Sequence, residues 1–126
     1  MIIGIGIDII EIHRIEKAIQ MPAFLTRVFT EQERVYCDAR GRQRAASYAA
    51  RFAGKEAVLK ALGTGFSGGT WQDIEIIPKD GGQPQVFLRG HFAEVAERLH
   101  VVEIHISLTH AQMYAAAEAL LWGDVK

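Results

Sequence analysis

Residues 42–65 read RQRAASYAARFAGKEAVLKALGTG, and this stretch decides the fold of the chain. It is rich in alanine, the strongest helix former, and Gly54 is its only glycine before Gly63. The composition predicts a long helix from roughly Arg42 to Leu62. Gly63 is well placed to end that helix in a left-handed conformation.

One stripe of this helix is apolar except for a single carboxylate. Four residues occupy adjacent positions on the stripe: Ala49, Phe52, Glu56 and Leu59. Lys60 follows Glu56 by one helical turn. Glu56 is therefore unusual, because acidic side chains are normally kept off apolar surfaces.

The first residues, MIIGIGIDIIEIHR, alternate between large and small side chains. Isoleucines at 3, 5, 7 and 9 fall on one face, and Gly4, Gly6 and Asp8 fall on the other. This period of two predicts a strand packed on one side, with Asp8 near its end. The stretch has no leading positive charges, and Asp8 interrupts it, so we interpret it as a buried strand of a cytoplasmic protein.

The remaining elements mix helices and strands without a regular βαβ rhythm. Ile12, Ile15 and Ile19 predict a helix that ends before Pro22, and Thr30 with Glu33 forms a capping-box pattern for a second helix. Further along, the patterns predict a hairpin around 74–76 and 86–88, a helix at 91–99 and a strand at 102–108. The last segment, 114–122, favours helix by propensity, although its position suits an antiparallel strand.

Composition narrows the class of protein. The chain has 126 residues and a formal net charge of -1, which fits one compact domain and gives no indication of nucleic-acid binding. Cys37 is the only cysteine, so neither an intramolecular disulfide nor a cysteine-built zinc site is available.

Two carboxylates and several basic side chains point to chemistry. Asp8 ends an apolar strand, and the second half of the predicted long helix carries four charged residues before GTG: Arg51, Lys55, Glu56 and Lys60. Magnesium is commonly held by one or two carboxylates together with substrate phosphates. Asp8 and Glu56 would supply that pair if the strand packs on the helix.

Each feature also has an ordinary structural explanation. Asp8 is a favoured helix cap, and Glu56 with Lys60 has the spacing of a stabilising surface pair. The loop GTGFSGG lacks the lysine spacing of a P-loop and is compatible with a plain helix stop, and His110 is compatible with an ordinary surface histidine.

Taken in order, these motifs resemble the holo-(acyl carrier protein) synthase family of 4'-phosphopantetheinyl transferases. The resemblance runs from Met1 to about Leu120, and five segments carry it: GIGIDIIEIHRI, FTEQE, RFAGKEAVLKALGTG, QDIEI with a later GGQP, and HISLTHAQMYAAAEAL. Gly54 departs from the pattern, since alanine is common there. The resemblance implies an α+β fold for residues 1–126 as a single domain, an antiparallel sheet packed with the long helix, and a final strand at 114–122.

The resemblance also implies roles for individual residues. Asp8 and Glu56 would bind magnesium, with Glu56 and Lys60 taking part in catalysis. The coenzyme A contacts would come from seven residues: Arg51, Lys60, Gly63, Thr64, Gly65, Pro84 and His110. The resemblance further implies a homotrimer in which each active site lies between two subunits. One chain would then supply Asp8 and Glu56, and its neighbour would supply part of the nucleotide pocket.

The implied reaction moves 4'-phosphopantetheine from coenzyme A to a serine of apo acyl carrier protein, in fatty acid biosynthesis, and releases adenosine 3',5'-bisphosphate. The proton acceptor is open between Glu56, a magnesium-bound water and Asp38. Carrier proteins are acidic, so the basic side chains Arg14, Lys17 and Arg27 are candidates for docking.

Three other functions fit parts of the pattern. A module that only senses coenzyme A would not need two metal carboxylates, and a magnesium-dependent pyrophosphate hydrolase would not need a basic first helix. A purely structural trimer would not explain the residues of the segment RFAGKEAVLK.

Overall fold

A computed structural model describes residues 1–124 and shows an α+β fold. In chain order the elements are β1 (Ile2–Glu11), α1 (Ile12–Ala18), α2 (Pro22–Val28), α3 (Glu31–Asp38), α4 (Arg44–Leu62), β2 (Ile74–Pro78), β3 (Pro84–Leu88), α5 (Gly90–Arg98), β4 (Val101–His110) and β5 (Tyr114–Gly123). Short 3-10 turns at Gly41–Gln43 and Trp71–Asp73 precede α4 and β2. The predicted fold class is confirmed.

Two antiparallel sheets frame the long helix. The larger sheet has the strand order β1-β5-β4, so β1 and β4 are its two edges, and β2 pairs with β3 in a separate hairpin. The strand expected for the last segment is confirmed, because β5 pairs with β1 on one side and β4 on the other. Its buried alanines at 115, 117 and 119 face the helix side of the sheet, and tertiary pairing overrides their helical propensity.

The predicted helices are present with small shifts of boundary, and α2 is a further helix that the sequence patterns did not predict. α4 begins at Arg44, two residues later than predicted, because Gly41–Gln43 forms a 3-10 turn instead. Gly63 caps α4 in the left-handed region, with a φ of 76°. Thr30 and Glu33 form the predicted capping box at the start of α3.

β1 and α4 approach each other more closely than side chains would permit. A Cβ atom on Gly4 would lie 2.1 Å from the Ala61 carbonyl oxygen, and one on Gly6 would lie 1.9 Å from that of Ala57. Real Cβ atoms do not come so near, so only glycine fits at either position. The strand therefore lies directly on the helix backbone, and this contact fixes the position of Asp8 relative to α4.

The isoleucine face of β1 is not covered by the rest of the chain. Ile5, Ile7 and Ile9 are 55%, 65% and 65% exposed, whereas Gly6 is buried. The prediction of a buried strand is therefore wrong for this face: β1 is packed through its glycine side. A row of exposed isoleucines is unfavourable in water. An exposed apolar patch of this kind normally marks a contact with another molecule.

A buried ion pair joins three elements below the sheet. The Lys55 ammonium on α4 lies 2.9 Å from the Glu33 carboxylate on α3, and both side chains are fully buried. Lys55 also donates to the carbonyl oxygens of Trp71 and Ile74. Glu33 accepts from the backbone nitrogen of Ile76 on β2 at 2.7 Å. Burial lowers the pKa of Lys55 and the Glu33 carboxylate opposes that effect, so both charges are satisfied inside the core.

The space beside Gly54 is filled by side chains from other elements. A Cβ atom there would lie 2.6 Å from Cδ1 of Ile76 and 3.2 Å from both Cδ1 of Ile106 and Cδ2 of Leu108. Glycine thus leaves room for three branched side chains against the middle of α4.

We expect Gly6→Ala to lower the free energy of unfolding by roughly 2–3 kcal/mol, because its methyl group would meet the Ala57 carbonyl oxygen. Urea unfolding followed by circular dichroism measures this loss. Gly41→Ala is the matched control, since no atom lies within 4 Å of its Cβ and only its φ of 58° opposes the change. That strain costs about 1 kcal/mol. Equal losses in the two variants would show that the close approach of β1 to α4 is unimportant.

Candidate active site

Asp8 lies within β1 and not at its end. The strand continues to Glu11, and Asp8 pairs with Ala117 of β5. The prediction of a strand end at Asp8 is therefore wrong. The capping alternative is wrong as well, because Glu11 is the residue that precedes α1 and no side chain caps that helix. Asp8 instead has its carboxylate on the face of β1 that meets α4.

Lys60 links α4 to this part of β1. Its ammonium donates to the Asp8 carboxylate at 3.0 Å and to the Ile7 carbonyl oxygen at 3.0 Å. Within residues 1–124 Lys60 forms no ion pair with Glu56, so the alternative of a surface pair along the helix is wrong. The Asp8 side chain is 17% exposed and that of Lys60 is 54% exposed, which leaves the lysine accessible to a ligand.

Glu56 completes a group of two carboxylates and one ammonium. It lies one turn before Lys60, on the same side of α4. Burial raises the pKa of Glu56, the nearby Asp8 carboxylate raises it further, and Lys60 partly offsets both effects. A half-buried carboxylate whose proton affinity is raised by a neighbouring carboxylate is a site where a divalent cation is favourable.

Asp8 and Glu56 together offer too few ligands to enclose a metal ion, which suits magnesium in particular. Among residues 1–124 no three or more histidine, cysteine, aspartate or glutamate side chains are grouped to hold a metal ion. A cation held by Asp8 and Glu56 would need further oxygen ligands from elsewhere. Magnesium meets this condition, because it retains waters and shares substrate phosphates while bound by only one or two carboxylates.

The glycine-rich loop begins directly after this group. Gly63 and Gly65 both have positive φ values, 76° and 70°, and with Thr64 they lie exposed at the end of α4. Further along the loop, the Phe66 ring packs on Trp71 with 4.6 Å between ring centroids. The loop therefore leaves α4 beside Lys60 and returns to the core through an aromatic contact.

A second group of predicted residues lines a cleft of about 300 Å³ at the edge strand β4. Arg51, Pro84 and His110, which the resemblance implies as coenzyme A contacts, line it, and Arg40 lines it too. Arg51 is 6% exposed, and its Nε has no hydrogen-bond partner within the part of the chain described. A buried guanidinium with a free donor is suited to an anionic ligand.

Sequence reasoning missed Arg40 and also Tyr36, whose ring lies 4.4 Å from the Arg51 guanidinium. No motif indicates either residue. Both follow from the packing of α3 against α4, which brings distant parts of the sequence together. Arg40 would have been found only by knowing that α3 ends beside the cleft.

The two groups lie on opposite sides of the chain. Arg51 and Lys60 are nine residues apart on α4, which at 3.6 residues per turn places them on opposite faces and about 14 Å apart along the axis. Asp8 lies on β1 and the cleft on β4, the two opposite edges of the larger sheet. One chain therefore does not bring all the predicted coenzyme A contacts together.

Asp38 lies away from the two carboxylates on the same chain. It accepts hydrogen bonds from Tyr48 and Arg44, both at 2.8 Å. Burial raises the pKa of Asp38, but those two bonds and the positive charges of Arg44 and Arg34 together outweigh burial and leave it below the ordinary value. Tyr48 precedes Glu56 by eight residues, about 12 Å along α4. Within one chain, Asp38 is therefore separated from the group formed by Asp8, Glu56 and Lys60.

The three basic residues predicted to dock a partner are all exposed. Arg14 and Lys17 lie on α1, and Arg27 lies in the last turn of α2. None of the three forms an ion pair within residues 1–124. Met21, which is 61% exposed, lies between the two helices. This surface combines free positive charge with an exposed apolar side chain.

None of the helices in the described part of the chain is both long and apolar enough to span a lipid bilayer.

Comparison with known proteins identifies the family. A family model described as the 4'-phosphopantetheinyl transferase superfamily matches residues 4–120. The holo-[acyl-carrier-protein] synthase of Moorella thermoacetica is 54% identical over 117 residues, which cover 92% of this chain and 91% of that protein.

Solved structures agree with the sequence comparison. The holo-(acyl-carrier-protein) synthase of Bacillus anthracis in complex with CoA (3',5'-ADP) superposes with a TM-score of 0.81 at 36% identity, covering 98% of this chain and 99% of that one. The synthase of Helicobacter pylori in complex with coenzyme A also gives a TM-score of 0.81, at 30% identity and with 94% and 99% coverage. The chain therefore belongs to the 4'-phosphopantetheinyl transferase superfamily, within its holo-[acyl-carrier-protein] synthase family.

Proposed function

We propose that this protein transfers the 4'-phosphopantetheine group of coenzyme A to a serine of an apo acyl carrier protein, with magnesium as its metal ion. The observation that carries the proposal is the grouping of Asp8, Glu56 and Lys60 where β1 meets α4. This grouping can hold a cation and a phosphate together. It occurs in a chain whose relatives are holo-[acyl-carrier-protein] synthases.

In the reaction, the serine oxygen attacks the phosphorus atom that carries the pantetheine. The bond from that phosphorus to the bridging oxygen breaks, adenosine 3',5'-bisphosphate leaves, and a phosphodiester remains on the carrier. Bound magnesium would supply neutralisation of the charge on the phosphate oxygens. No covalent intermediate with the protein is needed.

The residues of the chain have separate tasks in this scheme. Asp8 and Glu56 would hold the cation, and Lys60, anchored to β1, would donate to a phosphate oxygen. Glu56 is also the carboxylate we propose as proton acceptor, because it lies one helical turn from Lys60, which would bind the phosphate. The exposed backbone at Gly63, Thr64 and Gly65 would allow coenzyme A to lie close to the chain.

Arg51, Pro84 and His110 would contact the nucleotide end of coenzyme A from the cleft beside β4. Because this cleft lies at the opposite sheet edge from Asp8, we propose that each active site combines the β1 edge of one chain with the β4 edge of another. The exposed isoleucines of β1 support such an association, since a partner would cover them. Following the family resemblance, we propose a cyclic homotrimer.

We also propose that residues 1–126 form one domain, that the protein acts in the cytoplasm, and that the carrier serves fatty acid biosynthesis. The single buried, unpaired Cys37 is compatible with a reducing compartment. A coenzyme A sensor remains the second candidate function, favoured by the cleft at β4 alone. Asp8 and Glu56 have no task in a sensor.

Intact mass spectrometry tests the transferase directly. Apo acyl carrier protein incubated with this protein, coenzyme A and magnesium is expected to gain one 4'-phosphopantetheine group. The Asp8→Ala, Glu56→Ala double variant should lower the rate on the order of 100-fold or more, since it removes both proposed metal ligands. Glu94→Ala, which removes an exposed carboxylate on α5, is the matched control and should retain activity. No gain on several carriers, with coenzyme A still bound, would favour the sensor.

Mixing two inactive variants tests the shared active site. Asp8→Ala and Arg51→Met should each be inactive alone, but co-expressed chains should recover roughly a quarter of the wild-type rate, because random assortment restores that fraction of intact sites. Light scattering should give a particle of three times the 14.0 kDa chain mass. A mixture as inactive as its components would place each complete site within one chain.

Charge reversal tests the docking surface. Arg14→Glu should raise the KM for acyl carrier protein by about 5- to 30-fold and leave the KM for coenzyme A unchanged, because Arg14 would face an acidic partner. Steady-state kinetics with each substrate varied in turn measures both values. Arg98→Glu, in the last turn of α5, is the control and should change neither. Equal losses toward the two substrates would rule out a docking role for Arg14.

A further inference from the structure

Two arginines of the β4 cleft converge on one aromatic ring. The Arg51 guanidinium lies 4.4 Å from the centre of the Tyr36 ring, and that of Arg40 lies 5.6 Å from it. Both distances are within the range of a cation–π interaction. Tyr36 is half-buried on α3, Arg51 comes from α4, and Arg40 follows the end of α3. The ring therefore connects two cations from different elements.

The same two arginines line the cleft that also contains His110. Neither is neutralised by a carboxylate within residues 1–124, where the ion pair at this end of α4 joins Arg44 to Asp38. Asp38 is further engaged by the Tyr48 hydroxyl. Arg51 is nevertheless only 6% exposed, and its Nε has no hydrogen-bond partner in the described part of the chain.

A buried cation needs some compensation for the water that it has lost. For Arg51 the Tyr36 ring provides it, through the negative potential of the ring face. A carboxylate partner would compensate more strongly, but it would also occupy the donors and repel an anionic ligand. An aromatic partner stabilises the charge and leaves the guanidinium donors free.

We infer that Tyr36 is a positioning residue that holds Arg40 and Arg51 at the cleft with their donors directed to the phosphates of coenzyme A, and that Arg40 is a phosphate contact. This inference depends on the proposed function, in which the cleft binds the nucleotide end of coenzyme A. Tyr36 itself touches no phosphate. Its effect passes through the two arginines.

Binding of adenosine 3',5'-bisphosphate, measured by calorimetry on the full chain, tests this inference. Tyr36→Leu removes the ring and should raise the Kd for the bisphosphate on the order of 10-fold, whereas Tyr36→Phe keeps the ring and should remain within about 3-fold of wild type. Arg40→Ala should also weaken binding on the order of 10-fold. Arg98→Ala, an exposed arginine on α5, is the matched control and should not change the Kd.

Kinetics separates positioning from a general structural defect. Tyr36→Leu should raise the KM for coenzyme A with kcat retained, and Tyr36→Phe should restore the KM. In the Tyr36→Leu, Arg40→Ala double variant the two losses should be less than multiplicative, because one residue acts through the other.

Three results would overturn the inference. They are an unchanged Kd in Tyr36→Leu, equal losses in Tyr36→Leu and Tyr36→Phe, and an unchanged Kd in Arg40→Ala. The last variant alters an exposed side chain, so it remains informative even if Tyr36→Leu does not fold. Wild-type protein that binds no bisphosphate would overturn the proposed function itself, which distinguishes that failure from failure of the role of Tyr36.

Discussion

The contact between the glycines of β1 and the backbone of α4 is the constraint on which the rest of the structure depends. At Gly4 and Gly6 the strand lies so close to Ala57 and Ala61 that no Cβ atom fits between them. A lysine side chain one turn away can therefore span the gap and bond to both the main chain and the Asp8 carboxylate. With any larger residue in place of the glycines, Asp8, Glu56 and Lys60 would move apart.

The cations of α4 show how the fold separates structural from functional charge. Lys55 is fully buried, and its donors are taken up by Glu33 and two carbonyl oxygens, so it has nothing left to offer a ligand. Lys60 is half-exposed, and Arg51 keeps a free donor beside the Tyr36 ring. Four or five residues along one helix thus separate the cation that stabilises the core, Lys55, from the two that are available for chemistry, Arg51 and Lys60.

A single chain would not form a complete active site for the proposed reaction, and the geometry of the three-stranded sheet explains why. A helix that packs on one face of a small sheet leaves the other face open, and here that face carries the exposed isoleucines of β1. The same geometry places the carboxylates at one sheet edge and the arginine cleft at the other. The proposed trimer would answer both conditions at once, because it covers apolar surface and joins unlike edges.

The sequence by itself determined most of the elements, though not α2 or the last strand, and it singled out the two carboxylates of the proposed site. Alanine content, capping residues and period-two patterns depend on local interactions, so α4, the Thr30 cap, the β2–β3 hairpin and β4 could be predicted from neighbouring residues alone. Asp8 and Glu56 stood out because acidic groups are unusual in apolar patterns. The last strand needed the family resemblance, since its alanines favour helix and only pairing on both sides overrides them.

Only the tertiary structure decided which face of β1 is packed and what Lys60 and Lys55 contact. It also decided that Arg40 lines the β4 cleft and that the Tyr36 ring lies against Arg51. The physical reason is the same in each case. These properties arise from contacts between residues far apart in the chain, and a local pattern contains no information about the distance between two elements. The approach of β1 to α4 at Gly6 is possible because glycine has no side chain. The importance of this glycine therefore becomes visible only when α4 is in place beside the strand.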